Sequence, residues 1–331
     1  MKESVNLGIA GIVAEFNPFH NGHKYLIDCA KSDGHAVYTV ISGNFVQRGD
    51  VAIISKFERA KQALLCGADI VCELPCPWSM STAENFAFGA VSQLNSLGIE
   101  FLYFGSECGD SDLLVKTADV VSSEAFNNLV GEKLSSGKTF AAIRQEILSE
   151  IAPNSVKVLE NPNDTLAVEY ILAAKKINPS IRFKAIKRIG AGHNDLASRD
   201  NFSTATLIRE KIKENDLDYI KQFVPPEAQY MILAGNISDI RNIESGVLAV
   251  LRTKTIEELR ARPDISEGIE NGLYNAIRHA TTLDELYMSV KSKRYTLARI
   301  RRMVLSAFIG IDNSFFKKEP PYTRILGFRN N

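Results

Sequence analysis

Apolar residues run almost unbroken through four short stretches in the first third of the chain: LGIAGIVAEF (7–16), HAVYTVIS (35–42), DIVCELP (69–75) and IEFLYFGSE (99–107). A strand with one wet face alternates, so unbroken runs predict strands covered on both faces. The first run stops at Asn17-Pro18, because proline has no N–H to give to a sheet ladder and the residue before it is kept out of the helical region. A helical stretch follows through KYLIDCAKS. Ser55-Lys56-Phe57-Glu58 is a capping-box pattern and opens a helix to about Cys66. Ser81-Thr82-Ala83-Glu84 repeats the pattern and opens a helix to about Leu97. Strand and helix in alternation imply an α/β fold with a parallel sheet and right-handed crossovers.

Further on, residues 110–150 read as helices. DTLAVEYILAAKK (164–176) is a strongly periodic helix after Asn163, and IRFKAIKR (181–188) is a fifth strand. STATLIREKIKEN (203–215) is a helix with Ser203 as its N-cap. FVPPEAQ (223–229) marks a boundary, since Pro225-Pro226 cannot continue a helix. Helices fill the remainder, with strand-like alternation only near 322–328. The expected organisation is a catalytic α/β part over residues 1–222 and a mainly helical part over 223–331.

Composition narrows the class without naming a function. The 331 residues are 45% hydrophobic and 24% charged, an ordinary balance for a globular protein. No apolar run reaches the roughly 20 residues of a membrane helix. The start MKESVNLGIAG lacks the apolar centre of a signal peptide. A cytoplasmic protein without a membrane partner is expected. Cys29, Cys66, Cys72, Cys76 and Cys108 have no fourth ligand at metal spacing, so they read as buried reduced thiols and no metal site is assigned. The net charge is zero, but the distribution is uneven: from Lys291 onward ten Lys/Arg face two Asp/Glu, an excess of eight. Lys291, Lys293, Arg294, Arg299, Arg301 and Arg302 surround Tyr295 on a helix-compatible stretch. Cations contact phosphates, and a tyrosine stacks on an unpaired base, so this tail is a candidate RNA-binding surface confined to one face.

The chemistry concentrates in EFNPFHNGHKYL. A parallel sheet binds ligands outside the carboxyl ends of its strands, and this segment leaves the first strand there. His20 and His23 share one side of a turn, Gly22 admits a close backbone approach, and the next helix aims its free amides at the same point. Such a cradle suits a polyphosphate, and it would serve attack on the α-phosphorus of a nucleotide by stabilising the departing pyrophosphate. A second anion site appears at STATLIR, where Ser203, Thr204 and Thr206 supply hydroxyls at a helix start and Arg209 lies one helical step of three beyond Thr206.

H-x-G-H after a first apolar strand, paired with S-[ST]-x-x-[IV]-R after a late one, is the signature of the HIGH-type nucleotidylyltransferases. Here one extra residue stands before the arginine. GIVAEFNPFHNGHKYL, ISGNFVQRGD, GADIVCELP, AENFAFGAV, FGSE, NPND and KSKRYTLARIRRM follow in order. From about residue 8 to the end, the chain resembles the bacterial tRNA(Met) cytidine acetate ligase family. Phe16 stands where the family commonly has tyrosine. Members commonly run several dozen residues past YTRILGFRNN, which bears on tRNA binding more than on ATP binding.

The resemblance implies a Rossmann-like, HUP-type nucleotidylyltransferase domain followed by the helical part. It implies an enzyme that activates acetate with ATP as acetyl-adenylate and acetylates the wobble cytidine of elongator tRNA(Met), with Mg2+ accompanying ATP. By similarity, ATP lies along Ile12, Val13, Ala14, Glu15, Phe16, Asn17, Pro18, Phe19, His20, Asn21, Gly22, His23, Lys24 and Tyr25. Gly105, Asn163, Arg188, Ile189, Ser203 and Thr204 complete its site. SGNFVQRGD is the candidate acyl side, with Ser42 and Asn44 donating hydrogen bonds and Arg48 pairing with a carboxylate. Catalytic roles are expected for His20, His23, Arg48 and Ser42. Lys56, Arg59 and Glu73 are weaker candidates beside it, the last as a base, as a ribose ligand or as a buried paired carboxylate. Two other readings stay open: a cofactor-forming adenylyltransferase acting on a phosphorylated small molecule, and a non-catalytic RNA-binding protein that retains the ATP fold. The sequence leaves the oligomeric state undetermined.

Overall fold

The computed structural model describes residues 8–133, 140–189, 202–266 and 268–330; the expectations touching residues 1–7 and 134–139 lie outside these. The expected strands form, as β1 (Ile9–Ala14), β2 (Ala36–Ser42), β5 (Ile70–Leu74), β6 (Phe101–Ser106) and β7 (Arg182–Lys187). Between β2 and β5 lies a small hairpin of β3 (Phe45–Val46) and β4 (Asp50–Val51). The strand pattern near 322–328 is β8 (Arg324–Phe328), which returns to the main sheet. The sheet order is β7-β6-β1-β2-β5-β8. All neighbours are parallel except β8, which runs antiparallel to β5.

The unbroken apolar runs have the expected cause. Successive side chains leave the sheet on opposite faces, and both faces are covered. Ala10, Ile12, Val37 and Ile41 enter one core with Ile27 of the helix Asn21–Ser32 and Ala60 of the helix Lys56–Leu65. Val13, Val40, Leu102 and Phe104 enter the other, against Phe86 and Leu94 of Ala83–Ser96 and Ile171 of Pro162–Ile177. Residues 247–307 build a separate helical core around Leu251, Leu273, Leu286 and Met303. Phe223, Val224, Ala228 and Ile232, which straddle the Pro225-Pro226 step, pack in the first sheet core, and Pro226 opens the helix Pro226–Leu233.

Several helix starts differ from the sequence expectation by one or two residues. Ser55 and Glu58 form the expected capping box. At the next helix the cap is Thr82, because Ser81 donates instead to the Trp78 carbonyl at 2.6 Å. At the late helix Ala205–Lys213 the cap is Thr204, whose hydroxyl accepts the Leu207 amide; the Ser203 hydroxyl is drawn to Tyr219 at 2.7 Å. Asn163 lies inside the first turn of Pro162–Ile177, since Pro162 takes the first helical position, where its missing N–H costs nothing.

The chain leaves β1 for β2 on one side and later returns to β6 on the other. The switch point between β1 and β6 opens a crevice at their carboxyl ends, where α/β sheets hold ligands.

Candidate active site

A cavity of about 320 Å³ occupies that crevice. Its floor is the chain leaving β1, including Val13, Glu15 and Asn17, and its far side is formed by Gly105, Asn163, Arg188 and Ile189. Phe16 turns the chain with a left-handed backbone (φ 46°), which costs a non-glycine residue about 1–2 kcal/mol. Its ring, 1% exposed and 4.8 Å from that of Phe19, holds it there.

The turn delivers both histidines as the start of the helix Asn21–Ser32. His20 is the N-cap, its Nδ1 accepting the Gly22 amide at 3.1 Å; His23 Nδ1 accepts the His20 amide at 3.3 Å. A backbone N–H can only donate, so each Nδ1 is an acceptor. The proton of each neutral ring therefore sits on Nε2, the remaining donor. The rings stack at 3.7 Å. Burial, followed by the charges of Arg188 and Arg209, lowers His20 to about 3. Burial, then His20 and Arg188, holds His23 well below the usual imidazole range. At neutral pH the pair thus offers two uncharged donors, and the positive charge comes from arginine. Arg188 lines the cavity, as does Arg209, whose guanidinium donates to the Asn17 carbonyl at 2.8 Å and to Thr206 Oγ1 at 3.1 Å. Thr206 and Arg209 do face one point, as their spacing implies.

The β3–β4 hairpin brings Gln47 and Arg48 to the opposite wall. It is pinned to the β1 exit twice: the Gln47 amide donates to Glu15 Oε1 and the Ile53 amide to Asn17 Oδ1, both at 2.8 Å. Arg59, 0% exposed, ties both pieces together. Its guanidinium donates to the carbonyls of Glu15 (2.7 Å), Ser42 (2.8 Å), Ile54 (3.2 Å) and Gly43. Burial lowers it to about 10, with Glu15 and Glu73 opposing, so it stays a cation at neutral pH.

The cavity wall therefore gathers Val13, Ala14, Glu15, Phe16, Asn17, His20, Gly22, His23 and Tyr25 of the first segment. Gly105, Asn163, Arg188, Ile189, Ser203, Thr204 and Arg48 join them. Other expected residues lie elsewhere. Ile12 and Phe19 are core residues; Lys24 pairs outward with Asp28; Asn21 donates to the Gln222 carbonyl; Pro18 is not on the wall. Ser42 is fully buried beneath the wall, its carbonyl held by Arg59 and its hydroxyl without a partner among the described residues. Asn44 is not on the wall either. Glu73 is a paired carboxylate, only part-buried, bonded to Lys56 at 2.7 Å and beside Arg324 at 3.4 Å. Burial raises the thiols of Cys66 and Cys76 to about 12 and Cys72 to about 11, which leaves them protonated.

Sequence reasoning passed over Gln47, Phe86, Phe104 and Tyr170, all on the cavity wall. Gln47 sits beside Arg48 in a loop already singled out. Phe86 and Tyr170 carry apolar periodicity that reads only as core. Among the described residues no group of three or more His, Cys, Asp or Glu could hold a metal. Glu15 is the carboxylate of the wall, so Mg2+ would depend mainly on phosphate oxygens and water, as that ion commonly does.

In the basic tail, Lys291, Lys293 and Arg294 are exposed. Arg299 instead donates to the Asp264 carbonyl and covers the half-buried Tyr295 ring at 4.9 Å. Arg302 forms a two-point pair with Asp264 at 2.7 and 3.1 Å. Arg301 lies over Tyr287 and 3.9 Å from Asp50 of the hairpin. No helix among the described residues is long and apolar enough to cross a membrane.

The HIGH Nucleotidyl Transferase family profile matches residues 7–331. A tRNA(Met) cytidine acetate ligase of Thermoanaerobacter sp. is 39% identical over 97% of this chain and 83% of its own length. That of Clostridium kluyveri is 37% identical over 97% and 84%. The crystal structure of Thermotoga maritima TmcAL bound with alpha-thio ATP superposes with a TM-score of 0.89 at 33% identity, covering 97% of this chain and 80% of that one. Its apo form gives 0.91 at 34% identity over 97% and 81%. With His20, His23, Arg188 and Arg209 gathered in a cavity at the switch point of a parallel sheet, and relatives aligned along nearly its whole length, the chain belongs to the HIGH nucleotidyl transferases and, among them, to the tRNA(Met) cytidine acetate ligase family.

Proposed function

We propose that this protein is an ATP-dependent ligase that activates acetate and acetylates the wobble cytidine of elongator tRNA(Met) in the cytoplasm. The observation that carries the reading is the histidine pair: two stacked, neutral imidazoles whose Nδ1 atoms are both held by backbone amides, beside Arg188 and Arg209 in one cavity. In the first step an acetate oxygen attacks the α-phosphorus and the bond to the β,γ-pyrophosphate breaks. The two Nε2–H groups and the arginines stabilise charge on the phosphate oxygens. Arg48, on the hairpin wall, pairs with the acetate carboxylate and holds it in line. Mg2+ bound with ATP would neutralise phosphate charge, held mainly by phosphate oxygens and water beside Glu15. In the second step the cytosine N4 amine attacks the acetyl carbonyl, AMP leaves, and the amine loses a proton.

The division of labour follows the two parts: residues 1–222 carry the nucleotide chemistry and residues 223–331 the RNA surface. The exposed cations Lys291, Lys293 and Arg294 are the first to meet the RNA. These three and Tyr295 precede the helix Leu297–Ile309, so the expected helix covers only the later cations, and Arg299, Arg301 and Arg302 with Tyr295 serve by holding that helix and its hairpin neighbour in place.

Acetate-dependent exchange of pyrophosphate into ATP tests the reading. Exchange should require acetate and should not be supported by phosphorylated acceptors. Exchange that ignores acetate would defeat it.

A further inference from the structure

Where β6 ends, two carboxylates exchange hydrogen bonds with the start of the helix Pro162–Ile177. Asp164, 0% exposed, accepts the Ser106 hydroxyl and the amides of Glu107 (2.9 Å) and Cys108 (3.1 Å). Glu107 reciprocates: Oε2 accepts the Asp164 amide at 3.0 Å and Oε1 accepts Asn163 Nδ2 at 2.5 Å. Asp164 anchors this corner. The bond to Asn163 has a further consequence, because Asn163 lines the cavity beside Gly105, Arg188 and Ile189.

A carboxylate only accepts hydrogen bonds, so Glu107 determines which end of the Asn163 amide turns towards it. The NH2 group is used there. Among the described residues nothing donates to the carbonyl oxygen Oδ1. We infer that Glu107 is a positioning residue that presents Asn163 to the nucleotide as a hydrogen-bond acceptor, so that this corner of the site selects a donor on the nucleoside. The exocyclic amine of adenine and the two ribose hydroxyls are the donors the nucleoside of ATP offers. The inference rests on the reading of this cavity as the ATP site.

The variant Glu107→Gln turns this logic around. Its carbonyl oxygen can still accept the Asp164 amide, so the corner keeps its anchor. Its NH2 then faces Asn163, whose carbonyl must turn inwards to accept, leaving the Asn163 NH2 towards the ligand. A site built for a donor would meet one with a donor of its own.

Affinities of the full chain for ATP, inosine triphosphate, 2′-deoxy-ATP and 3′-deoxy-ATP, measured by direct titration alongside acetate-dependent exchange, read this out. The wild type should prefer ATP by at least ~10-fold over one analogue, because a site with a buried polar group rejects a ligand lacking its partner. A penalty on the inosine nucleotide identifies the amine, and one on a deoxynucleotide identifies that hydroxyl. In Glu107→Gln that preference should shrink towards one, with KM for ATP raised and kcat nearly unchanged. A wild type without any such preference, a variant that keeps the wild-type ratio, or one that weakens all four nucleotides alike would overturn the inference. If Glu107→Gln does not fold by circular dichroism, Asn163→Ala decides: it should lose the same preference, and retention would overturn the inference. A wild type that binds no ATP would instead remove the ATP-site reading beneath it.

Discussion

The two histidines act in opposite directions at once. Each spends Nδ1 on a backbone amide at the helix start and keeps Nε2–H for a ligand. These uses separate in His20→Asn, because asparagine is a good N-cap but cannot place a donor where Nε2 stood. Stability should change by less than ~1 kcal/mol in denaturant unfolding, whereas exchange should fall by about 100-fold or more. Unchanged exchange would remove His20 from the chemistry. The same burial makes stability depend on pH. An unfolded His20 titrates near its ordinary 6.5 and the folded one near 3. Above about 6.5 neither state is protonated and the folded state bears no penalty. As pH falls from 6.5 towards 3, the unfolded chain binds a proton that the folded chain refuses, and stability drops. Melting temperatures between pH 7 and 4.5 should fall, and less steeply in His20→Asn; parallel slopes would assign the acid sensitivity to other groups.

At the scale of elements, the hairpin β3–β4 is too short to hold itself in place, with two residues in each strand. Its position comes from its anchors at Glu15 and Asn17 and from Arg59 beneath. Arg59→Met has similar bulk but strands four carbonyls, three of them at the exits of β1 and β2 and the loop after β2. A buried acceptor without a partner costs about 1–3 kcal/mol, so a loss of about 3 kcal/mol or more is expected by denaturant titration. Exchange should fall with it, because Gln47 and Arg48 are no longer held at the wall. A variant as stable and active as the wild type would show that the hairpin holds itself.

Across the whole molecule the hairpin also touches the helix Leu297–Ile309. Gly49 has φ 72°, and a Cβ there would come within 2.6 Å of the Arg302 backbone nitrogen on the helix Leu297–Ile309. Asp50 faces Arg301 across the same junction. The cavity and the basic helix thus share one loop; on the proposed function, removing cations that take no part in this junction should separate binding from activation. The double variant Lys291→Ala with Lys293→Ala is expected to weaken tRNA binding and to flatten its salt dependence by about one charge for each phosphate no longer neutralised. Exchange without tRNA should persist; its disappearance would contradict the division of labour. Much of this molecule was written along the chain. The unbroken runs identified the doubly covered strands, because a strand buried on both faces has no polar side, and the H-x-G-H segment marked the crevice, because its chemistry is local. Ser55 with Glu58 was legible for the same reason. The tertiary structure alone decided that Ser42 lies under the wall, that Glu73 is spent on Lys56, and that Arg299 and Arg302 brace Asp264 instead of facing outwards. It also brought Glu107 to Asn163 from 56 residues away. Propensity and periodicity act over a few residues, whereas the partner that claims a polar side chain arrives through the crossovers of the sheet.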